Sequence, residues 1–176
     1  MRFLFRRPRT DPSGYAVHYE HATQPLAASF LKAAAEDELA RLWETLSRES
    51  RGLLEGRYAS RTGLRLARAA HVGDVPDDER VAEIAGPLAA SIVGALGGSA
   101  NVNAMGVSAA RIISRAEAFV LLLPRFEGGT FVRPEEWKPG HLLGFVCEDR
   151  DWKVDLGLTA ALSDEAGLPD PLGELR

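Results

Sequence analysis

Between residues 23 and 115 apolar positions recur mostly three and four apart, whereas from residue 119 to 156 they cluster or alternate, the two spacings of helix and strand. Leu26 and Phe30 follow Thr23 and Pro25, so a helix capped by Thr23 is predicted, with Pro25 in the first turn, where its missing N–H costs nothing. Leu39, Leu42, Trp43 and Leu46 fall at i, i+3, i+4 and i+7, and Asp37 precedes Arg41 by four, which predicts a second helix with one apolar face. Ser47 is the expected cap of a third helix in which Ser50, Leu53 and Leu54 share a side. A break is expected from Gly56 to Gly63, a short helix from Thr62 to Ala70, and an exposed loop from Gly73 to Asp78. Val81 and Ile84, the interruption Gly86-Pro87, then Leu88, Ile92, Val93 and Leu96 up to Gly97-Gly98 read as helix, tight turn, helix. Asn101 or Asn103 is expected to cap one more helical segment holding Val107, Ala110 and Ile113.

Strands are predicted at residues 2–6 and 15–19 around the turn Asp11-Pro12-Ser13-Gly14. Phe119 to Leu123 and Thr130 to Val132 read as a hairpin with a long tip through Pro124 and Gly128-Gly129. Leu142 to Cys147 forms a further strand, and Trp152, Val154 and Leu156 alternate with Lys153 and Asp155, which predicts one wet face. Leu158 to Leu162 reads as a short helix. The whole is an α+β chain of 176 residues, one domain over 1–176, with its N-terminal helices and a helix-turn-helix-like unit packed on a small antiparallel sheet. Leu39, Leu42, Trp43, Leu46, Leu88, Ile92 and Leu96 are the expected core.

Composition adds exclusions. An apolar fraction of 45% with 26% charged residues fits a globular domain. Cys147 is the single cysteine, so no disulfide forms within the chain and a four-thiolate zinc site is excluded; a reducing, cytoplasmic setting is expected. The apolar run at Phe3 to Phe5 is far short of a signal-peptide core, and Ala118 to Leu123 is too short to cross a bilayer, so no membrane association is expected. Net charge is −4, but it is segregated: residues 1–10 carry four Arg and no acid, residues 41–71 seven Arg against three Glu, and residues 141–176 eight acids against three bases.

In order and spacing, the helices up to Arg68, the Glu79 to Ala85 segment, the Gly86-Pro87 turn, the Leu88 to Leu96 segment and the Phe119 to Val132 hairpin resemble a winged helix-turn-helix module, over about residues 39–132, followed by C-terminal strands and an acidic tail at 141–176. The resemblance implies binding to DNA or, as in some such modules, to protein. The chain departs from the DNA-binding pattern in the second helix of the unit: between Pro87 and Gly98 there is no Arg, Lys, Asn or Gln to read bases or anchor phosphates.

Candidate chemistry is sparse. His18 and His21 invite a metal, but three residues apart on a strand they point to opposite faces unless the strand ends by Glu20. His141 and Cys147 share a predicted strand and a face but lie ~20 Å apart at ~3.3 Å per residue, too far for base and nucleophile. Gly94, Gly97 and Gly98 follow a helix rather than precede one and read as a helix stop, not a phosphate cradle. Asp149, Asp151 and Asp155 fail a calcium loop because Lys153 stands at an oxygen position. Neither a metal nor a cofactor is expected.

Arg57, Arg61, Arg65 and Arg68 are spaced four, four and three apart, so on a continuous helix they form one stripe suited to phosphates or carboxylates. The competing reading is scattered surface Arg paired with Glu44, Glu49 and Glu55. The expected function is that of a non-enzymatic regulatory or adaptor protein binding another protein. A DNA-binding regulator using the Arg-rich segments is the alternative, and an enzyme with a site assembled from distant residues the third reading.

Overall fold

The computed structural model describes residues 9–10, 14–65, 79–127, 130–131, 133 and 139–171; the expectations for residues 2–6, for Gly73 to Asp78 and for Arg68 lie outside them. The chain runs β1 (Arg9–Thr10), β2 (Ala16–His18), α1 (Thr23–Ala35), α2 (Leu39–Glu44), α3 (Arg48–Thr62), α4 (Glu79–Ala95), α5 (Ser99–Ala104), β3 (Gly106–Val107), β4 (Ala110–Ile112), β5 (Glu117–Leu123), β6 (Phe126–Glu127), β7 (Thr130–Phe131), β8 (His141–Glu148), β9 (Asp151–Asp155) and α6 (Leu156–Ala166). It is an α+β protein. The main sheet is antiparallel in the order β1-β2-β4-β5-β8-β9, with β3 also on β5, and β6 and β7 pair separately.

Residue parity divides this sheet into two faces. Ala110, Val120, Leu122, Leu143, Phe145 and Val154 point inward, into one cluster of buried residues shared with α1, α2 and α4. The opposite face carries Arg111, Phe119, Leu121, Leu142 and Gly144, as the pairings Arg111 to Phe119 and Phe119 to Gly144 require. α6 lies on that outer face. It approaches β8 so closely that a Cβ on Gly144 would stand 2.9 Å from Leu158 Cγ, and the Gly144 N–H donates to Thr159 Oγ1 at 2.9 Å.

The expected core is largely in place: Leu42, Trp43, Leu46, Leu88, Ile92 and Leu96 are buried, and Leu39 packs half-buried against them. α2 is shorter than its apolar spacing predicts. It ends at Glu44, and residues 45–47 run instead along the β9 edge, with Ser47 N–H donating to Val154 O and Val154 N–H to Thr45 O. Ahead of it, Asp37 takes a left-handed conformation (φ 58°) and Glu38 N–H returns to Ala33 O, closing α1; Arg41 therefore pairs with Glu38 and not with Asp37. α1 starts at Thr23, with Ala22 rather than Thr23 in the cap position.

Other local expectations are overturned. The Gly86-Pro87 turn is absent: α4 continues through both residues, so the helix-turn-helix pair of the sequence reading is one helix here. α3 likewise passes through Gly56 and stops at Gly63 (φ 71°), and no helix starts at Thr62. Val107 and Ala110 lie in β3 and β4, and Ile113 just past the end of β4, not in a helix. β5 pairs with β4 and β8 rather than with Thr130–Phe131, whose partner is β6. Leu156 opens α6 instead of ending β9, and Asp155, expected on a wet face, is 5% exposed. Among the described residues no helix is long and apolar enough to cross a membrane.

Candidate functional site

α3 begins as its sequence predicts. Ser47 caps it, its Oγ accepting Ser50 N–H at 3.0 Å. Ser47 Oγ donates to Asp155 Oδ2 at 2.5 Å, Ser50 Oγ lies 3.3 Å from the same oxygen, and Ser50 Oγ accepts Leu156 N–H at 2.8 Å. Asp155 Oδ1 caps α6 through Leu158 N–H at 2.7 Å. One buried carboxylate thus serves the N-termini of two helices, where their exposed N–H groups and aligned dipoles favour negative charge. Glu148 accepts Arg48 N–H from the β8–β9 hairpin, and the Arg48 guanidinium pairs with Asp149.

At the other end of α3, Arg57 and Arg61 stand one turn apart beside a cleft of about 150 Å³ whose other walls are Leu54, Tyr58, Ile84 and Pro87. Tyr58 O–H donates to Glu83 Oε2 at 2.5 Å, and this bond, followed by desolvation and the Glu83 charge, raises the phenol pKa above its usual value. Arg61 stacks over the Tyr58 ring, 5.8 Å from guanidinium carbon to ring centre, and donates to Glu83 O at 3.3 Å. That carbonyl is a particular one. In a helix the Glu83 C=O accepts from the N–H four residues on, which is Pro87 and has none; Arg61 supplies the missing donor from outside the helix.

The predicted stripe is therefore brought together only in part. Arg57 and Arg61 share a face of α3; Arg65 is exposed but lies beyond the left-handed Gly63, which ends the helix and takes it out of the row. Arg68 lies outside the described residues. The alternative pairing of the stripe with Glu44, Glu49 and Glu55 is not seen at Arg57 or Arg65; Arg51, outside the stripe, donates to the backbone carbonyl of Glu44 and stacks on Trp43. Among the described residues Arg57 and Arg65 have no ion-pair partner. The α4 segment after Pro87, which has no Arg, Lys, Asn or Gln, turns Leu88, Ala89 and Ile92 into the core.

His18 and His21 do converge, against the strand argument, because β2 ends at His18: their ring centres are 6.0 Å apart. His21 packs edge-on against Trp152 at 4.9 Å, and its Nδ1 lies 3.0 Å from Thr23 Oγ1 at the start of α1. Desolvation, then the His18 charge, holds its pKa below 6.5. Among the described residues no three His, Cys, Asp or Glu side chains are grouped as metal ligands. His141 and Cys147 occupy opposite ends of β8, and His141 Nδ1 donates to Pro169 O at 2.8 Å.

The chain matches no protein-family model, no curated protein and no solved structure.

Proposed function

We propose that the chain is a non-enzymatic regulatory or adaptor protein that binds another protein through the cleft between α3 and α4. The observation that supports this reading is the placement of Arg57 and Arg61 one turn apart around an apolar floor of Leu54, Ile84 and Pro87. A planar guanidinium fork suits a carboxylate, and an apolar notch beside it suits one aliphatic side chain, so the fitting partner is an acidic segment carrying a leucine-like residue. Base reading has no comparable support, because after Pro87 α4 carries no Arg, Lys, Asn or Gln and only the single hydroxyl of Ser91.

A fluorescently labelled peptide with Leu set among Glu and Asp tests this by anisotropy. Saturable binding is expected, weakening as salt rises, with Arg57→Ala lowering affinity about fivefold and replacement of the peptide Leu by Ser lowering it further. Absence of saturation overturns the reading, and so does tighter binding of duplex DNA with a steep salt slope.

A further inference from the structure

The first N–H groups of a helix have no acceptor within it. At the start of α1 the Gln24 N–H donates to His21 O at 3.1 Å and the Leu26 N–H to Ala22 O at 3.3 Å, while Pro25 has no N–H to place. Of the residues 23–26, that leaves the Thr23 N–H. Ala22, in the cap position, has no side-chain acceptor to offer, and the His21 ring stands in for one: the Thr23 N–H donates to His21 Nδ1 at 3.4 Å. In return the His21 N–H donates to Gln24 Oε1 at 3.1 Å, so the junction is closed from both sides.

A backbone N–H can only donate, so Nδ1 is the acceptor and the proton of the neutral ring sits on Nε2. The hydroxyl of Thr23, a fully buried residue, lies 3.0 Å from the same Nδ1. The ring also packs on Trp152 at 4.9 Å, and Trp152 in turn packs against the core. One imidazole thus caps α1 and ties the β2–α1 loop to β9, at the end of the sheet away from β1.

Protonation of Nδ1 works against this arrangement in three ways. The Thr23 N–H loses its acceptor, a cation is placed at the positive end of the α1 dipole, and the new charge stands 6.0 Å from His18, ring centre to ring centre. The described neighbours do not offset it. α1 presents the uncharged Thr23 and Gln24, and Glu20, next in the chain, is exposed to solvent. On β9, Asp151 and Lys153 alternate with Trp152 onto the other face of the strand and pair with each other at 2.8 Å.

We infer that His21 is a proton-operated latch: the neutral ring caps α1 and holds the β2–α1 loop on Trp152, and protonation uncaps the helix and releases the loop. The inference is independent of the α3–α4 reading, since the latch shares no residue with that cleft. Burial, then the His18 charge, holds the His21 pKa in the fold below the ordinary 6.5. The stabilisation it supplies is therefore complete above about pH 6.5 and is lost as the pH falls from there through the folded pKa.

An NMR titration of the full chain between about pH 8 and pH 4.5 tests this by following the His21 ring protons, the Thr23 and Gln24 amides and the Trp152 indole N–H. One common midpoint, below 6.5, is expected for all of them. His21→Asn keeps a capping acceptor but does not titrate; it is expected to remove the step at Thr23 and Trp152 and to lessen the fall in melting temperature over the same range. The titration of the parent chain needs no variant and carries the test if His21→Asn does not fold. A His21 midpoint at or above 6.5, a Thr23 amide that stays in place while the ring titrates, or the parental step persisting in folded His21→Asn overturns the assignment.

Discussion

The N-terminal half of α3 carries Arg48 and Arg51, and its C-terminal half Arg57 and Arg61, but the molecule treats the two pairs differently. Arg48 pairs with the β8–β9 hairpin and Arg51 lies on Trp43, around a buried lattice in which Ser47, Ser50 and Asp155 tie α3, β9 and α6 together. Arg57 and Arg61 instead border an open cleft, and only Arg61 has a structural duty, at the Glu83 carbonyl. Residue type does not separate these roles. What separates them is whether a neighbouring element leaves an unpaired acceptor within reach, which is a property of the fold and not of the helix.

The strongest way to break this comparison is at Asp155. Asp155→Ala removes the cap of α6 and the acceptor that Ser47 and Ser50 share; Ser47 Oγ can still donate to Ser50 Oγ, 2.7 Å away, so one buried hydroxyl is left without an acceptor. A cap contributes about 1 kcal/mol and an orphaned buried group about 1 kcal/mol or more, so a loss of roughly 2 kcal/mol is expected in urea unfolding. Asp155→Asn, which keeps an acceptor oxygen, is expected to cost less. A change under about 0.5 kcal/mol for Asp155→Ala would mean that the lattice does not hold the N-terminal end.

A smaller effect sharpens the other end. Arg61→Ala is expected to cost about 0.5–1 kcal/mol, the worth of one hydrogen bond to a carbonyl that Pro87 cannot serve. In a Pro87→Ala background the restored N–H serves that carbonyl, and the same Arg61→Ala change is expected to fall close to zero. Additive costs in this double-mutant cycle would show that Arg61 and Pro87 are not coupled through Glu83 O.

These contrasts also mark what was legible in the sequence. Ser47 as a cap, the apolar face of Leu42, Trp43 and Leu46, and the alternation through Trp152 and Val154 state local chemistry, and the fold obeys them. The strands at 106–112 were hidden by a β-bulge between β3 and β4. Its extra residue places Val107 and Ala110, three apart, against the same core, and a spacing of three imitates a helix. Pro87 misled in the opposite direction. A proline in a helical run normally predicts a break, and continuity here rests on burial of Ile84, Leu88 and Ile92 together with the donor sent from α3. The cleft beside Arg57 was half legible: helical spacing gave Arg57 and Arg61 a common face, but the Ile84 and Pro87 wall comes from the packing of α4, and Gly63 removes Arg65 from the row.

The most direct test of the account is to map where the acidic Leu-containing peptide lands, by following backbone amide NMR shifts of the full chain during titration. The account predicts saturable shifts at Arg57, Tyr58, Arg61 and Ile84, with Ser47, Ser50 and the outer sheet residues Arg111 and Phe119 unmoved. Binding that shifts the Ser47 end or the outer sheet face while leaving Arg57 and Ile84 unchanged would contradict it.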